Sequence, residues 1–296
     1  MSTEVAVQPP RASAGIQHSP ADTRMASLRA IYIIWYRDIL RYWRDRWRLG
    51  ASLAQPLLFL IVFGSGLSSS LKGSASFGAA GGLSYIQFMY PGIIGMAILF
   101  TAIFGAMSIV WDREFGFLKE VLVAPIDRSS VAIGKALGGT TQAMIQGLIL
   151  LVLAPFVGVK LSVLTVLTMI PLAAVLAFGL SSFGVALAST MKSMQGFQVV
   201  MNFLMMPMFF LSGALFPLSG LPGWMTLLTR IDPASYGIDP LRRVVLSESG
   251  LPSAVIDRLG LTINGQVLPI PLEVGIMLAF GIVMLAVAVV SFKRRD

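Results

Sequence analysis

The chain lacks cysteine altogether and contains a single histidine, His18, among its 296 residues. Without cysteine it can form neither a disulfide framework nor a thiolate metal site. One histidine near the N-terminus leaves little scope for imidazole catalysis or for a metal site built on histidines. Composition therefore argues against thiol-dependent, histidine-dependent and disulfide-stabilised functions.

Charged residues are also scarce, because they make up 12% of the chain while hydrophobic residues make up 56%. Soluble globular proteins carry about a quarter charged residues, and a membrane-spanning helix needs about 20 apolar residues. The sequence therefore predicts an all-α integral membrane protein with six transmembrane helices. They are roughly Leu49–Leu67, Phe88–Val110, Val131–Val157, Leu164–Thr190, Phe197–Pro217 and Leu272–Phe292.

The residues before the first span divide into two parts. Residues 1–24 are rich in Pro, Ser, Ala and Gln, which predicts a disordered tail. Residues 25–48 form an amphipathic pattern, and a basic face opposite Trp and Tyr is typical of a helix lying in the membrane interface. Its apolar side holds Leu28, Ile31, Tyr32, Trp35, Ile39, Tyr42 and Trp43, and its basic side Arg37, Arg41, Arg44 and Arg48. Packing on a soluble domain is disfavoured, since the sequence predicts no such domain.

The long connection between spans 5 and 6, residues 218–271, is rich in proline and predicts a small folded cap. Asp232-Pro233 can start one helix and Pro222-Gly223 another, because Pro suits the first turn of a helix. Residues 261–268 alternate around Asn264-Gly265, which is a strong hairpin signal.

The distribution of Lys and Arg predicts the orientation. With the N-terminus inside, 16 of the 22 basic residues face the cytoplasm, as the positive-inside rule requires. Both termini are then cytoplasmic, the 218–271 connection is outside, and the chain lies in the cytoplasmic (inner or cell) membrane. The net charge of +8 reflects this orientation and contact with membrane lipids rather than binding to nucleic acid.

The spans predict no internal energy source. Proton-coupled transporters usually carry membrane-embedded Asp, Glu or His, whereas these spans show Lys135 alone, near an inner end from which it can snorkel to the surface. Gly134-Lys135 does not complete a phosphate-binding loop, because Ser129 and Ala136 stand where Gly and Ser or Thr are required. Another molecule is therefore expected to supply the energy, if energy is used.

The segment 112–124 is the longest charged interruption between the early spans. Wound as a helix, it gathers its apolar residues on one side and most of its charges on the other, with Glu114 on the apolar side. Pro125 is expected to end this helix, and Asp127 or Ser129 to cap the next one.

Three motifs resemble those of ABC-2-type transporter permeases. Residues 111–139 resemble the family's loop after span 2, with charged residues, Glu, Gly, Leu, a second Glu, Pro and Gly-Lys in order. Residues 210–217 (FLSGALFP) resemble the end of its fifth span. Residues 232–242 (DPASYGIDPLR) are similar to its Asn-Pro-x-x-Tyr-x-x-Asp-x-Leu-Arg segment, although Asp232 and Pro240 differ from the usual residues. The resemblance covers about residues 27–296 and is closest to the daunorubicin-exporter and nodulation-permease branch.

The resemblance implies that two permease copies dimerise and that two copies of a separate ABC ATPase, which carries ATP and Mg, dock below them. It identifies the short helix 112–124 as the coupling helix that contacts the ATPase; the alternative is a solvated cytoplasmic turn. The coupling role then falls on Asp112, Arg113, Glu114, Gly116, Lys119 and Glu120.

In that family the substrate path is lined by spans 1, 2 and 5, which gives eight candidates here, although Met and Phe on a span commonly face lipid or another helix. They are Gln55, Thr101, Met201, Asn202, Met205, Met206, Met208 and Phe209. The function implied is the permease of an ATP-driven exporter of a hydrophobic drug, lipid or lipid-linked glycan. The alternatives are an ATP-independent secondary transporter or channel, and an integral-membrane lipid enzyme. The last is weakened by the lack of clustered His or paired intramembrane carboxylates.

Overall fold

The structure, a computed structural model, describes residues 20–71, 85–115, 127–159, 161–218, 221–250, 252–263 and 266–294. The first helices are α1 (Pro20–Arg44), α2 (Arg46–Leu71), α3 (Tyr85–Gly105), α4 (Met107–Glu114), α5 (Arg128–Leu153), α6 (Val163–Thr190) and α7 (Met194–Leu211). They are followed by α8 (Gly223–Ile231), α9 (Ser235–Leu246), α10 (Ser253–Arg258), strands β1 (Thr262–Ile263) and β2 (Gln266–Val267), and α11 (Ile270–Arg294). Short 3-10 turns follow α5 at Ala154–Val157 and α9 at Ser247–Ser249.

Six helical stretches within the described residues are long and apolar enough to cross a membrane, which confirms the predicted fold class. Span 1 lies in α2, span 2 combines α3 and α4, and spans 3 to 6 lie in α5, α6, α7 and α11. The helix α1 precedes them; its position in the membrane interface stays a prediction.

Span 5 ends earlier than the sequence predicts, at Leu211 rather than Pro217. The cause is Gly213, whose φ of 76° is left-handed and reverses the chain. A Cβ at this position would also lie 2.7 Å from the Leu218 side chain, so the turn is closed by packing that only glycine permits.

Span 2 is the centre of the helix bundle. Most of its residues between Tyr85 and Ile103 are buried, and α3 packs against α2, α5, α6 and α9. Spans 1 and 6, in contrast, expose large apolar side chains such as Ile61 and Ile282. Outward apolar faces are expected where a helix meets lipid or a second subunit.

The connection between spans 5 and 6 folds as its turn residues predict. The helix α8 begins directly after Pro222, and the strands pair Thr262 with Val267 and Ile263 with Gln266. The predicted hairpin is thereby confirmed, although Asn264-Gly265 lie outside the described residues. Asp232 accepts a hydrogen bond at 3.0 Å from the backbone N–H of Ala234 in the turn before α9. The helix begins at Ser235 with Ala234 at its cap, so it starts slightly later than Asp232-Pro233 predicts.

A cluster of buried charges that the sequence does not indicate fixes α9 to the start of span 6. We call it the outer ion cluster, after the predicted orientation of the chain: Asp239, Arg243 and Glu273. The Arg243 guanidinium lies 2.6 Å from Glu273 and 3.2 Å from Asp239, and Asp239 accepts the backbone N–H of Leu261 at 3.0 Å. Glu273 is fully buried within the predicted span 6, which corrects the expectation that Lys135 is the only ionisable residue inside the spans.

Asp232 gives α9 a pH-dependent start, because its burial raises the pKa of the carboxyl to about 8. A raised pKa means that the folded chain holds the proton more tightly, so this stabilising contribution is complete below about pH 4 and is lost as the pH rises to about 8. We expect the thermal unfolding midpoint in detergent to fall across this window. Asp232→Asn keeps an oxygen acceptor without a titrating group and should flatten the fall. An unchanged pH profile in Asp232→Asn would contradict the assignment to Asp232.

Candidate functional site

The described part of the segment 112–124 is its beginning. The helix α4 continues to Glu114, and Phe115 closes it with a turn. The predicted contact residues Gly116, Lys119 and Glu120 lie outside the described residues, so the helix predicted for the rest of the segment stays a prediction. The predicted cap of the next helix is confirmed, since Asp127 accepts the backbone N–H of Ser129 at the start of α5.

Arg113 and Glu114 form hydrogen bonds with backbone groups on either side of the short turn between spans 4 and 5. We call this pair the turn clamp. Arg113 donates hydrogen bonds to carbonyl oxygens at the end of α6, at 3.1 Å from Ser189 and also to Met191. Glu114 accepts the backbone N–H of Met194, the first residue of α7, at 2.7 Å. A cation thus meets the negative end of one helix and an anion the positive end of the next. Glu114, the charge on the apolar side of the predicted helix, therefore has a hydrogen-bond partner within this chain.

Lys135 does not snorkel, contrary to the prediction, because its residue is only 4% exposed. Its ammonium lies 3.2 Å from Asp38 and 3.2 Å from Asp112, and it donates to the Ser108 hydroxyl at 2.9 Å. Two carboxylates and a hydroxyl accept the hydrogen bonds that the ammonium of a snorkelling lysine would donate to water. The contact joins α1, span 2 and span 3 at one point.

Two glycines of span 3 allow α1 to reach this point. A Cβ on Gly134 would lie 3.0 Å from Ile34, and one on Gly138 would lie 3.2 Å from the Asp38 Cβ. Small residues four apart on a helix let a neighbouring backbone approach closely. The indole N–H of Trp35 adds a hydrogen bond to Thr141 at 3.0 Å. In the sequence, the spacing of Gly134 and Gly138 is the signal for this docking, whereas the phosphate-loop pattern is not.

A cavity of about 560 Å³ opens between α1, span 1 and span 2. Its walls combine aromatic rings, such as Phe100 and Trp111, with neutral polar groups and with charged residues of the α1–α2 junction. They include Asp38, Arg41, Asp45, Arg48, Gln55, Thr101, Phe104, Ser108 and Gln142. An amphipathic molecule could therefore place an apolar part against the rings and a polar part against Arg or Gln. Among the described residues, no three acidic or histidine side chains group to hold a metal ion.

The eight predicted path residues do not come together in one place. Gln55 and Thr101 line the cavity. Four residues of span 5 are buried against other helices: Met201, Met205, Met208 and Phe209. Phe209 packs edge-on against Phe59 of span 1 at 5.8 Å between ring centroids. Asn202 and Met206 face outward from span 5. A role in the substrate path stays a prediction for all eight.

Comparison with known proteins gives a consistent picture. The family model described as "ABC-2 type transporter" matches residues 29–246. The chain is 28% identical to the "putative transport permease ycf38" of Cyanophora paradoxa over 250 residues, covering 82% of this chain and 83% of that protein. It is 26% identical to nodulation protein J of Rhizobium leguminosarum bv. trifolii, covering 75% and 80%. It is 28% identical to the inner membrane transport permease YadH of Escherichia coli K12, covering 75% and 85%.

Proposed function

Because the chain belongs to the ABC-2 type transporter family, we propose that this membrane transport permease is the membrane-spanning subunit of an ATP-driven exporter. ATP and Mg²⁺ bind a separate ABC ATPase, of which two copies serve a permease homodimer. The observation that supports this proposal best is the set of contacts made by residues 112–114, at the beginning of the segment 112–124. There, three consecutive charged residues hold α1 and spans 3, 4 and 5, so a protein pushing on the segment would act on most of the bundle.

The contacts of these three residues suggest how force would pass. Asp112 is held by Lys135 of span 3, Arg113 by the end of span 4, and Glu114 by the start of span 5. Because each contact is charged or charge-assisted, it resists displacement more than a neutral hydrogen bond does. The ATPase would contact the remainder of the segment, where Gly116, Lys119 and Glu120 lie, and the residues before Phe115 would carry its movement inward.

The cavity supports a substrate that is amphipathic. Rings of Phe100 and Phe104 offer an apolar wall, while Gln55 and Thr101 offer hydrogen bonds and Arg41 a positive charge. A hydrophobic drug, a lipid or a lipid-linked glycan fits this chemistry, and entry from the membrane surface fits the position of the cavity beside α1. Spans 1 and 5, with outward apolar faces, would meet their counterparts in the second permease copy.

A proton-coupled secondary transporter is the second candidate, because the structure contains buried carboxylates that the sequence did not indicate. Asp38, Asp112 and Glu273 all have low exposure. Each lies within 3.2 Å of a Lys or Arg side chain, however, and therefore already has a counter-ion within the chain. The exporter proposal therefore accounts for these buried carboxylates without requiring that they transport protons.

Inverted membrane vesicles that contain this chain and the ABC ATPase captured with it test the proposal. Uptake of daunorubicin or of a fluorescent phospholipid should require ATP and should persist when the proton gradient is collapsed. The purified chain without a partner should hydrolyse no ATP. Uptake driven by a proton gradient in the absence of ATPase would instead establish the secondary transporter.

The proposed orientation has its own test in this cysteine-free chain. Ser249 lies in the connection between spans 5 and 6, and Lys192 lies in the turn between spans 4 and 5; both are exposed. A membrane-impermeant maleimide should label Ser249→Cys in intact cells, and Lys192→Cys only after the cells are permeabilised. The reverse pattern would invert the topology.

A further inference from the structure

Four charges surround one point beside the cavity, and we call them the inner ion cluster: Arg37, Asp38, Asp112 and Lys135. The Arg37 guanidinium lies 3.4 Å from Asp112 and 3.9 Å from Asp38, and so completes the contacts of Lys135 described above. Two cations balance two anions. The members come from three separate elements, since two belong to α1, one to α4 and one to α5.

Stability alone does not account for this cluster. Replacing a complete buried ion cluster by neutral groups is often neutral or stabilising, whereas removing a single partner is costly. The helix α1 is already held on span 3 by the close approach at Gly134 and Gly138 and by the hydrogen bond from Trp35 to Thr141. What the cluster adds is a connection from both elements to Asp112.

Through Lys135, this connection reaches both the segment 112–124 and the cavity wall. Asp112 directly precedes the turn clamp and begins the segment 112–124, on which the ATPase is proposed to act. Asp38 and Ser108, the other groups that Lys135 contacts, are part of the cavity wall. One buried ammonium therefore touches both the start of the segment and the wall of the cavity.

We propose that Lys135 is a positioning residue that links the segment 112–124 to the cavity wall, so that movement of Asp112 shifts Asp38 and with it α1. The proposal rests on the proposed function and deepens it, because it names the route by which the ATPase controls access to the cavity. The cavity then has two arrangements, and the nucleotide state of the ATPase selects between them through the inner ion cluster.

The test requires a variant that lacks the three buried charges of the cluster and preserves folding, while the half-exposed Arg37 is retained. Lys135→Met alone would leave Asp38 and Asp112 without their shared counter-ion. The combination Asp38→Asn, Lys135→Met and Asp112→Asn removes the buried charges together and keeps the side-chain sizes. Trp35→Phe is the matched control, because it deletes another contact between α1 and span 3 without touching the cluster or the cavity.

Accessibility of the cavity is measured with Ala51→Cys, a cavity-lining position on span 1 and the only thiol in the chain. The permease–ATPase complex in lipid nanodiscs is treated with a maleimide, either without nucleotide or trapped with ATP and vanadate. We expect the labelling rate to differ between the two states by about fivefold or more in the parent and in Trp35→Phe. In the triple variant the difference should vanish, although the ATPase still binds and hydrolyses ATP.

The outcomes separate this inference from the proposed function. An equal nucleotide-dependent change in the triple variant would overturn the role of Lys135. A parent complex that hydrolyses ATP without any change in labelling would overturn it too, while leaving the exporter intact. Failure of the parent to bind an ATPase would remove the proposed function, and the inference with it.

Discussion

Exchanging the two charges of the turn clamp, with Arg113→Glu and Glu114→Arg in one variant, should abolish most export while leaving the net charge unchanged. After the exchange, an anion faces the negative end of α6 and a cation the positive end of α7. Losing a favourable charge and a cap at helix termini, and replacing them by unfavourable charges, costs about 2–4 kcal/mol in total. We expect ATP-dependent uptake into inverted vesicles to fall below about a tenth of the wild-type rate.

Two conservative changes serve as controls for this exchange. Glu114→Gln keeps an oxygen that can accept the Met194 N–H, and Arg113→Lys keeps a cation near the carbonyls of Ser189 and Met191. Both should retain about half or more of the wild-type rate, because a neutral hydrogen bond or a lone charge recovers part of the interaction. Membrane abundance is measured in parallel by immunoblotting. If the exchanged variant were abundant and transported normally, the turn clamp would have no part in transmission.

Removing Arg243 should strongly lower the stability of the folded chain. Arg243→Met leaves two carboxylates, Asp239 and Glu273, fully buried without the guanidinium that they share. An uncompensated buried charge costs about 3–5 kcal/mol, against a total stability of about 5–15 kcal/mol for a typical domain. The thermal midpoint in detergent should drop by roughly 10 °C, and less protein should reach the membrane.

Arg230 offers the matched control, because it lies in the same connection and, among the described residues, its side chain donates to a neutral group, the backbone carbonyl of Thr262, at 2.9 Å and 3.2 Å. Arg230→Met should therefore cost about 1 kcal/mol. Adding Glu273→Gln to Arg243→Met should recover part of the loss, since one buried charge disappears. Equal midpoints for the two arginine variants would show that the outer ion cluster contributes no more than an ordinary hydrogen bond.

The spans, the hairpin and the helix starts could be predicted from the sequence because their causes are local. An apolar run of about 20 residues determines a span, and Asn264-Gly265 or Asp232-Pro233 determines a turn or a helix start within a few residues. The early end of span 5 is an intermediate case. Gly213 is visible in the sequence, but its left-handed φ and the close approach of the Leu218 side chain belong to the folded chain.

The ion clusters could not be predicted because their members are far apart in the chain. Lys135 reads as an exposed end-of-helix lysine until Asp38 and Asp112, distant in sequence by 97 and 23 residues, are placed beside it. Glu273 reads as the edge of a span until α9 brings Arg243 to it. The general position of the segment 112–124 was evident from its charge, whereas the partners of Arg113 and Glu114 depend on how spans 4 and 5 meet.

The two ion clusters also set an order of events during synthesis, which proceeds from the N-terminus. In the inner ion cluster Arg37, Asp38 and Asp112 are all made before Lys135, so the cluster stays incomplete until span 3 emerges. In the outer cluster Arg243 precedes Glu273, so α9 cannot be fixed until the last span enters the membrane. The inner ion cluster is therefore completed with the third span, and the outer ion cluster with the sixth. In a ribosome-bound chain that stops before residue 273, α9 should still lack the ion pair between Arg243 and Glu273.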